Sequence, residues 1–435
     1  MLSCTIMIRK ASVVYFSLIF LIIYVPDWQV IDMKSVQWYY LSIVNLIFIS
    51  FFFLKTPDIL KKVRDPIILS LFSLFIISAI SVAWALNKVE AVVRLTDLFT
   101  MLVTLLLSVY IVSNKLISLK YLLVLFLISL SFDAFGVFYL YIQVLEISTF
   151  NYEFTDDIRA YYGNRNITSI AIAMKIPIVL YGLKHFKNYF LRAYSLIIVT
   201  LSFYILLLLS SRAIMLSTII TIIMAFLLLV LKKTVYNQKI KNDFKLFRFY
   251  LAPIIIAVVI FNFAVDQEDQ VSLDKRVTSI VNNKDDRSAS ERLRFYKGAI
   301  KYIASNPLLG CGIGNWRIMS IKYDSENMFS YIVPYFAHND FIEIFAETGV
   351  IGFLSYLMFF LFIFKLNLRN IIKWIQSKSG FESVLLFMPF VFYFIDSNLN
   401  FPLDRPVLQI KYIGYISLLI LFSNLINKSN EENIN

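Results

Sequence analysis

Only two histidines occur in the 435 residues. One of them, His338, opens the run His338-Asn339-Asp340-Phe341-Ile342-Glu343, which continues into Glu347-Thr348-Gly349-Val350-Ile351-Gly352. An imidazole takes up a proton near neutral pH, which suits it to deprotonate a sugar hydroxyl in a wet cleft. Asn339 beside it can orient a ring or a hydroxyl by hydrogen bonding. Asp340, Glu343 and Glu347 recur at helical spacing, so a helix is expected to begin there. Carboxylates at that spacing admit a metal site, but a single histidine with no cysteine beside it argues against zinc.

Cations supply the complementary chemistry. Arg212 follows Ser210-Ser211 in a tight turn between two apolar runs. A planar, permanently charged guanidinium fits phosphate oxygens; the plainer reading is an arginine snorkelling to lipid headgroups. A second basic group lies in the stretch 288–303. There Leu293, Tyr296, Ile300 and Ile303 share one helical face, and Arg294, Lys297 and Lys301 fall on another. Ser288 or Ser290 is expected to cap this helix, with Glu291 near its positive end. A basic helix resting on the outer leaflet is the plainer reading here too. Arg292, one turn before Tyr296, turns toward the apolar side. After Asn306-Pro307, the glycines at 310, 312 and 314 predict a flexible loop able to turn N–H groups toward an anion. Arg159, with Asn164-Arg165-Asn166, is expected in the wall of a cleft. Arg159, Arg294, Arg317 and Asn339 join Arg212 and Arg292 as expected substrate contacts.

The elements that position these residues are membrane helices. With 59% hydrophobic and 16% charged residues, and a mean hydropathy of +0.73, the chain is far too apolar for a soluble globular protein. Repeated apolar runs of about 17 to 25 residues specify an all-α polytopic fold, because a barrel would show alternating segments of about 10. Twelve spans are expected, near residues 11–25, 38–54, 67–85, 96–113, 121–145, 166–183, 193–210, 213–231, 249–265, 347–364, 382–396 and 408–425. Residues 1–265 thus carry nine spans, 266–346 form a large, partly helical loop, and 347–435 carry three spans and a short frayed tail. Arg9-Lys10 precede the first apolar run with no small-residue cleavage site after it, so that run reads as a span rather than a removed leader.

The net charge of +12 is spread over short loops, which points to lipid headgroups and away from nucleic acid. With the N-terminus inside, 22 Lys and Arg fall on the cytoplasmic side against 8 in the short loops opposite. Both termini are therefore expected in the cytoplasm and the large loop outside, together with Arg212 and His338. Cys4 inside and Cys311 outside are not expected to pair. Asp133 and Lys175 stand in the middle of consecutive spans and are expected to meet, since an unpaired charge there is expensive.

This pattern resembles the O-antigen ligase and polymerase superfamily of bacterial envelope enzymes. The resemblance rests on Ser210-Ser211-Arg212 opening a span, Glu291-Arg292 with Tyr296, and the run 306–314. His338-Asn339 with Glu347 to Gly352, and Gly163-Asn164-Arg165-Asn166, complete it. It covers roughly residues 160–355. What it implies is a GT-C-like glycosyltransferase of the bacterial inner membrane, with its active site facing the periplasm. Such an enzyme takes a glycan from undecaprenyl diphosphate and passes it to an acceptor sugar, lipid A-core in the ligases, with neither metal nor nucleotide cofactor. By residue matching, Arg212 and Arg292 would hold the diphosphate as leaving group. His338 would deprotonate the acceptor hydroxyl for inverting attack.

Tyr296 stands where tryptophan is common, and Arg165 replaces a frequent proline, departures that bear on substrate rather than class. Asn400 to Pro406, with Arg405 on the same side, looks like a feature of some branches. Two other readings stay open. A polymerase would extend another lipid-linked repeat, and the arginines do not distinguish it. A transporter of the lipid-linked glycan finds its best support in Asp133 and Lys175, but the chain lacks paired broken spans and repeated halves.

Overall fold

The computed structural model describes residues 2–26, 29–30, 32–150, 152–265, 287–325, 335–376 and 381–432. Much of the expected large loop (266–286 and 326–334) and the side chain of the expected cap Ser288 lie outside them. The regular elements among the described residues are helical, because backbone groups in a bilayer core find partners only within helices or closed barrels. The long helices are α1 (Leu2–Phe20), α2 (Met33–Lys55), α3 (Pro66–Ser81), α4 (Lys88–Ser113) and α5 (Leu119–Ile147). After the short α6 (Arg165–Ala173) and α7 (Lys175–Gly182) come α8 (Tyr189–Leu209), α9 (Arg212–Thr234) and α10 (Lys241–Ala264). The remainder is α11 (Arg287–Ser305), α12 (Trp316–Asp324), α13 (Asp340–Gln376), α14 (Glu382–Leu399) and α15 (Pro406–Glu432).

Ten helices among the described residues are long and apolar enough to cross a membrane, or eleven when α3 is joined to the 3-10 turn Pro57–Arg64, bent 86° from it. The shortfall from twelve has a local cause. The expected span over 166–183 divides into α6 and α7, because Pro177 offers no N–H to the carbonyl of Ala173 and its ring crowds that carbonyl. The C-terminal segment expected to fray is helical as far as Glu432.

The chain forms two compact units. The first comprises Met1–Leu116, Asn283–Phe364 and Asp396–Ile413. In it α2 packs on α1 and α4, and α3 on α4. A buried polar knot ties three of these helices: Tyr15 donates to Asn45 Oδ1 (3.0 Å), and Asn45 Nδ2 donates to Thr104 Oγ1 (2.8 Å) and the Thr100 carbonyl (3.0 Å). Asn87 caps α4 by accepting from the Glu90 amide.

The second unit comprises Ile117–Asn282, Lys365–Ile395 and Gly414–Asn435. Here α8 packs on α10, α5 on α7 and α8, and α6 on α8 and α9. Asp133 and Lys175, both wholly buried, form the expected ion pair. Tyr162 also donates to Asp133 (2.8 Å), and Lys175 reaches the Ser129 carbonyl and hydroxyl (3.3 Å each). The same unit holds Lys232 paired with Asp243 (3.0 Å) and lying over the Trp374 ring (4.4 Å).

Candidate active site

In the first unit, α11 buries Phe295, Ala299 and Tyr302. Ala299 and Tyr302 join Cys311, Trp316, Ala337 and Ala346 in one cluster. The inward face differs from the expected one: Leu293 and Ile300 are 58% and 56% exposed. The two aromatics with a small alanine between them give α11 the larger apolar surface to set against α12. That rotation leaves Arg292 and Tyr296 on the flank. Tyr296 donates to the carbonyls of His338 (3.0 Å) and Asn398 (2.8 Å), and Arg292 donates to Asn400 Oδ1 (3.3 Å). Asp396, 1% exposed, accepts from the Asn400 amide and so turns the Asn400 oxygen toward Arg292. The helix begins at Arg287, so Ser290 lies within its first turns rather than at its cap.

His338 adopts φ +54°, a left-handed backbone that side chains other than glycine rarely take. Strain of this kind, of order 1–3 kcal/mol, persists only where neighbours over-determine it. Its ring stacks on Phe295 (centroids 5.9 Å apart) and meets Phe401 edge to face (5.1 Å). Phe401 in turn stacks on Phe336 at 4.3 Å. Nδ1 of His338 is buried with no hydrogen-bond partner among the described residues. Burial first, and the Arg292 charge second, push the imidazole down to about 4, so it is neutral at pH 7. Asn339 caps α13, its Oδ1 accepting from the amides of Phe341 (3.0 Å) and Ile342 (3.1 Å). Its Nδ2 donates to the Asn398 carbonyl (3.2 Å).

The three carboxylates after His338 do share a helix, and each pins a different piece of chain. Glu343 accepts from the Ala337 amide (2.8 Å) and Glu347 from the Trp316 amide (3.1 Å). Asp340 accepts from the Leu403 amide (3.1 Å) and from Tyr356 (3.3 Å). No group of three or more His, Cys, Asp or Glu among the described residues is placed to hold a metal ion.

The glycine loop is not the flexible anion cradle expected. Cys311 N donates to the Ala346 carbonyl (2.9 Å), Gly312 N to that of Glu347 (2.8 Å) and Ile313 N to Ser81 Oγ (3.0 Å). These amides face protein. The approach requires glycine on both sides: a Cβ on Gly310 would lie 2.5 Å from the Glu347 carbonyl oxygen, and one on Gly349 2.0 Å from that of Leu308. Gly349 also kinks α13 (φ 69°, ψ −170°).

The other expected contacts are distributed. Arg294 pairs with Asp324 (3.2 Å), and Arg317 pairs with Glu90 (2.8 Å) and lies over the Phe336 ring (5.8 Å). In the second unit, Ser210 takes a left-handed turn (φ 54°) that starts α9 at Arg212, and Ser211 donates to Asn166 Oδ1 (2.9 Å). Asn164 caps α6, Arg165 approaches Asp156 (3.8 Å), and Arg159 is exposed. An arginine on the first turn of a helix combines a fixed cation with the positive helix end, an arrangement that favours anions.

Several residues went unread in the sequence: Phe295, Asp396 and Asn398, and the ion cluster on Asp404. That carboxylate meets Arg94 (2.7 Å), Lys34 (2.7 Å) and Arg405 (4.0 Å). Burial would raise it, and Arg94 and Lys34 hold it below the ordinary carboxylate range. The available signal was Arg94 itself, a charge within an apolar run that demands a partner.

No curated protein matches the chain. Residues 196–357, which include Arg212, the whole of α11 and His338, match the family model described as O-Antigen ligase, so this stretch of the chain is similar to the O-antigen ligase superfamily.

Proposed function

We propose that the chain is a membrane glycosyltransferase of envelope glycan biosynthesis that moves a glycan from undecaprenyl diphosphate to an acceptor sugar, lipid A-core, on the periplasmic face. The observation that carries this reading is the strained, aromatic-clasped His338 with Arg292 on the adjoining helix flank. In the reaction the acceptor oxygen forms the new bond to the anomeric carbon. Its proton passes to His338, and the bond from that carbon to the diphosphate oxygen breaks with its electron pair. The diphosphate leaves with added negative charge, which Arg292 offsets; Arg212, on the first turn of α9 in the second unit, is proposed separately as an anion-holding residue. Stabilising charge where it develops is the larger contribution, since each fixed donor is worth about 10²–10³ in rate.

The neutral imidazole is in the right form to accept a proton, but at about 4 it is a weak base. Part of that depression comes from Arg292. A diphosphate on Arg292 reverses this part and brings in negative charge of its own, so donor binding strengthens the base. No metal or nucleotide takes part in this scheme, and His338, Asn339 and the framework at Asn398 and Asn400 form its reacting end.

Steady-state transfer kinetics test it. His338→Gln lowers kcat by roughly 10²–10⁴ with little change in donor KM, whereas Arg292→Gln weakens both donor KM and kcat. Full activity in His338→Gln refutes the base.

A further inference from the structure

Leu308 and Leu309 stand at the tip of the turn after α11, 68% and 59% exposed. Two adjacent leucines so open to water are a poor surface for a loop. Their backbone is not free to move away. Val350 N donates to the Pro307 carbonyl (2.9 Å), Cys311 N to the Ala346 carbonyl (2.9 Å), and the Leu308 carbonyl lies against Gly349. The turn is thus clamped to the kink of α13. Beyond that kink the helix shows Ile351 (59% exposed) and Leu354 (49%) on its outer side, in a helix apolar enough to cross the membrane. The leucine tip therefore continues the lipid-facing surface of a span. Leading into it, α11 exposes Lys297 and Lys301, cations that match anionic headgroups.

We propose that the turn 307–310 dips its two leucines into the adjacent lipid leaflet and anchors α11 at headgroup level. Under the transferase reading, on which only this consequence rests, the anchor sets Arg292 and His338 at the height where a lipid-linked diphosphate lies.

Site-directed spin labelling in nanodiscs of phosphatidylethanolamine and phosphatidylglycerol tests the anchor. The full chain carries Cys4→Ser, and single labels are placed at Leu309→Cys, Ile351→Cys and Lys322→Cys; Cys311 is buried. Relaxation by oxygen, which partitions into lipid, is compared with relaxation by a water-soluble nickel chelate. The Leu309 label is expected to respond several-fold more to oxygen than to nickel, as the Ile351 label does, with the order reversed at Lys322. A Leu309 label as open to nickel as the Lys322 label overturns the proposal. Leu308→Cys repeats the measurement if the first variant expresses poorly. The readout needs no substrate, so its failure leaves the transfer chemistry standing.

Discussion

Removing one member of the Asp133–Lys175 pair creates a charge with nowhere to go. Both side chains are wholly buried in the second unit. The survivor must stay charged in a low-dielectric interior or change its protonation. Discharging a group whose ordinary range lies three or so units from pH 7 costs about 4 kcal/mol. That agrees with the roughly 3–5 kcal/mol seen when one partner of a buried pair is deleted. Lys175→Met and Asp133→Asn are each expected to cost about 4 kcal/mol. Asp133→Asn keeps an acceptor for Tyr162, while Lys175→Met gives up two contacts to Ser129, so the lysine change is the more costly. The double variant leaves no charge and is expected to lie within about 1 kcal/mol of the wild type, a coupling larger than either single loss. Chemical and thermal unfolding in detergent, run as a double-mutant cycle, measures this directly. Single variants losing under 1 kcal/mol, or a double variant as unstable as the two losses summed, would refute the paired-charge account. The double variant also tests the transporter reading: retained glycan transfer assigns the pair to packing.

Three further outcomes follow from the first unit. Gly349→Ala forces a side chain into a backbone conformation costing about 1–3 kcal/mol and against the Leu308 carbonyl, so a loss of at least about 3 kcal/mol in unfolding free energy is expected. Glu347→Ala strips the Trp316 amide of its acceptor and is expected to cost about 1–3 kcal/mol, with lost transfer, whereas Glu347→Gln, still an acceptor, retains most of both. His338 is depressed from 6.5 to about 4, so unfolding frees it to bind a proton between those values. Its contribution, about 3 kcal/mol at most, is full above pH 6.5 and is lost as pH falls toward 4. His338→Phe should flatten that part of the stability-against-pH curve.

The helices and the buried pair were legible because apolar length and intramembrane charge leave few alternatives. The count of spans was not, since Pro177 interrupts hydrogen bonding without interrupting hydropathy. Around the site, residue types announced His338, Asn339 and Arg292. The faces of α11 were misjudged because periodicity identifies a face but not which of two apolar faces packs: Leu293 and Ile300 were as eligible as Phe295 and Tyr302. Similarly, glycines at alternate positions signal positive φ, and only the packed structure shows their amides turned to Ala346, Glu347 and Ser81. Asn398 was an unremarkable polar residue, and Asn400 only the start of a run that marks some branches, until folding brought them beside Tyr296, Asn339 and Arg292.

The most direct measurement is transfer by the purified chain in nanodiscs supplied with undecaprenyl-diphosphate glycan, with lipid A-core or with no added acceptor, beside His338→Ala, Arg292→Ala and Arg212→Ala. The account predicts glycan covalently joined to lipid A-core, in the presence of a chelator, and lost in all three variants. Lengthening of the lipid-linked glycan without lipid A-core would contradict the ligase reading in favour of a polymerase, and undiminished transfer by His338→Ala would contradict the site itself.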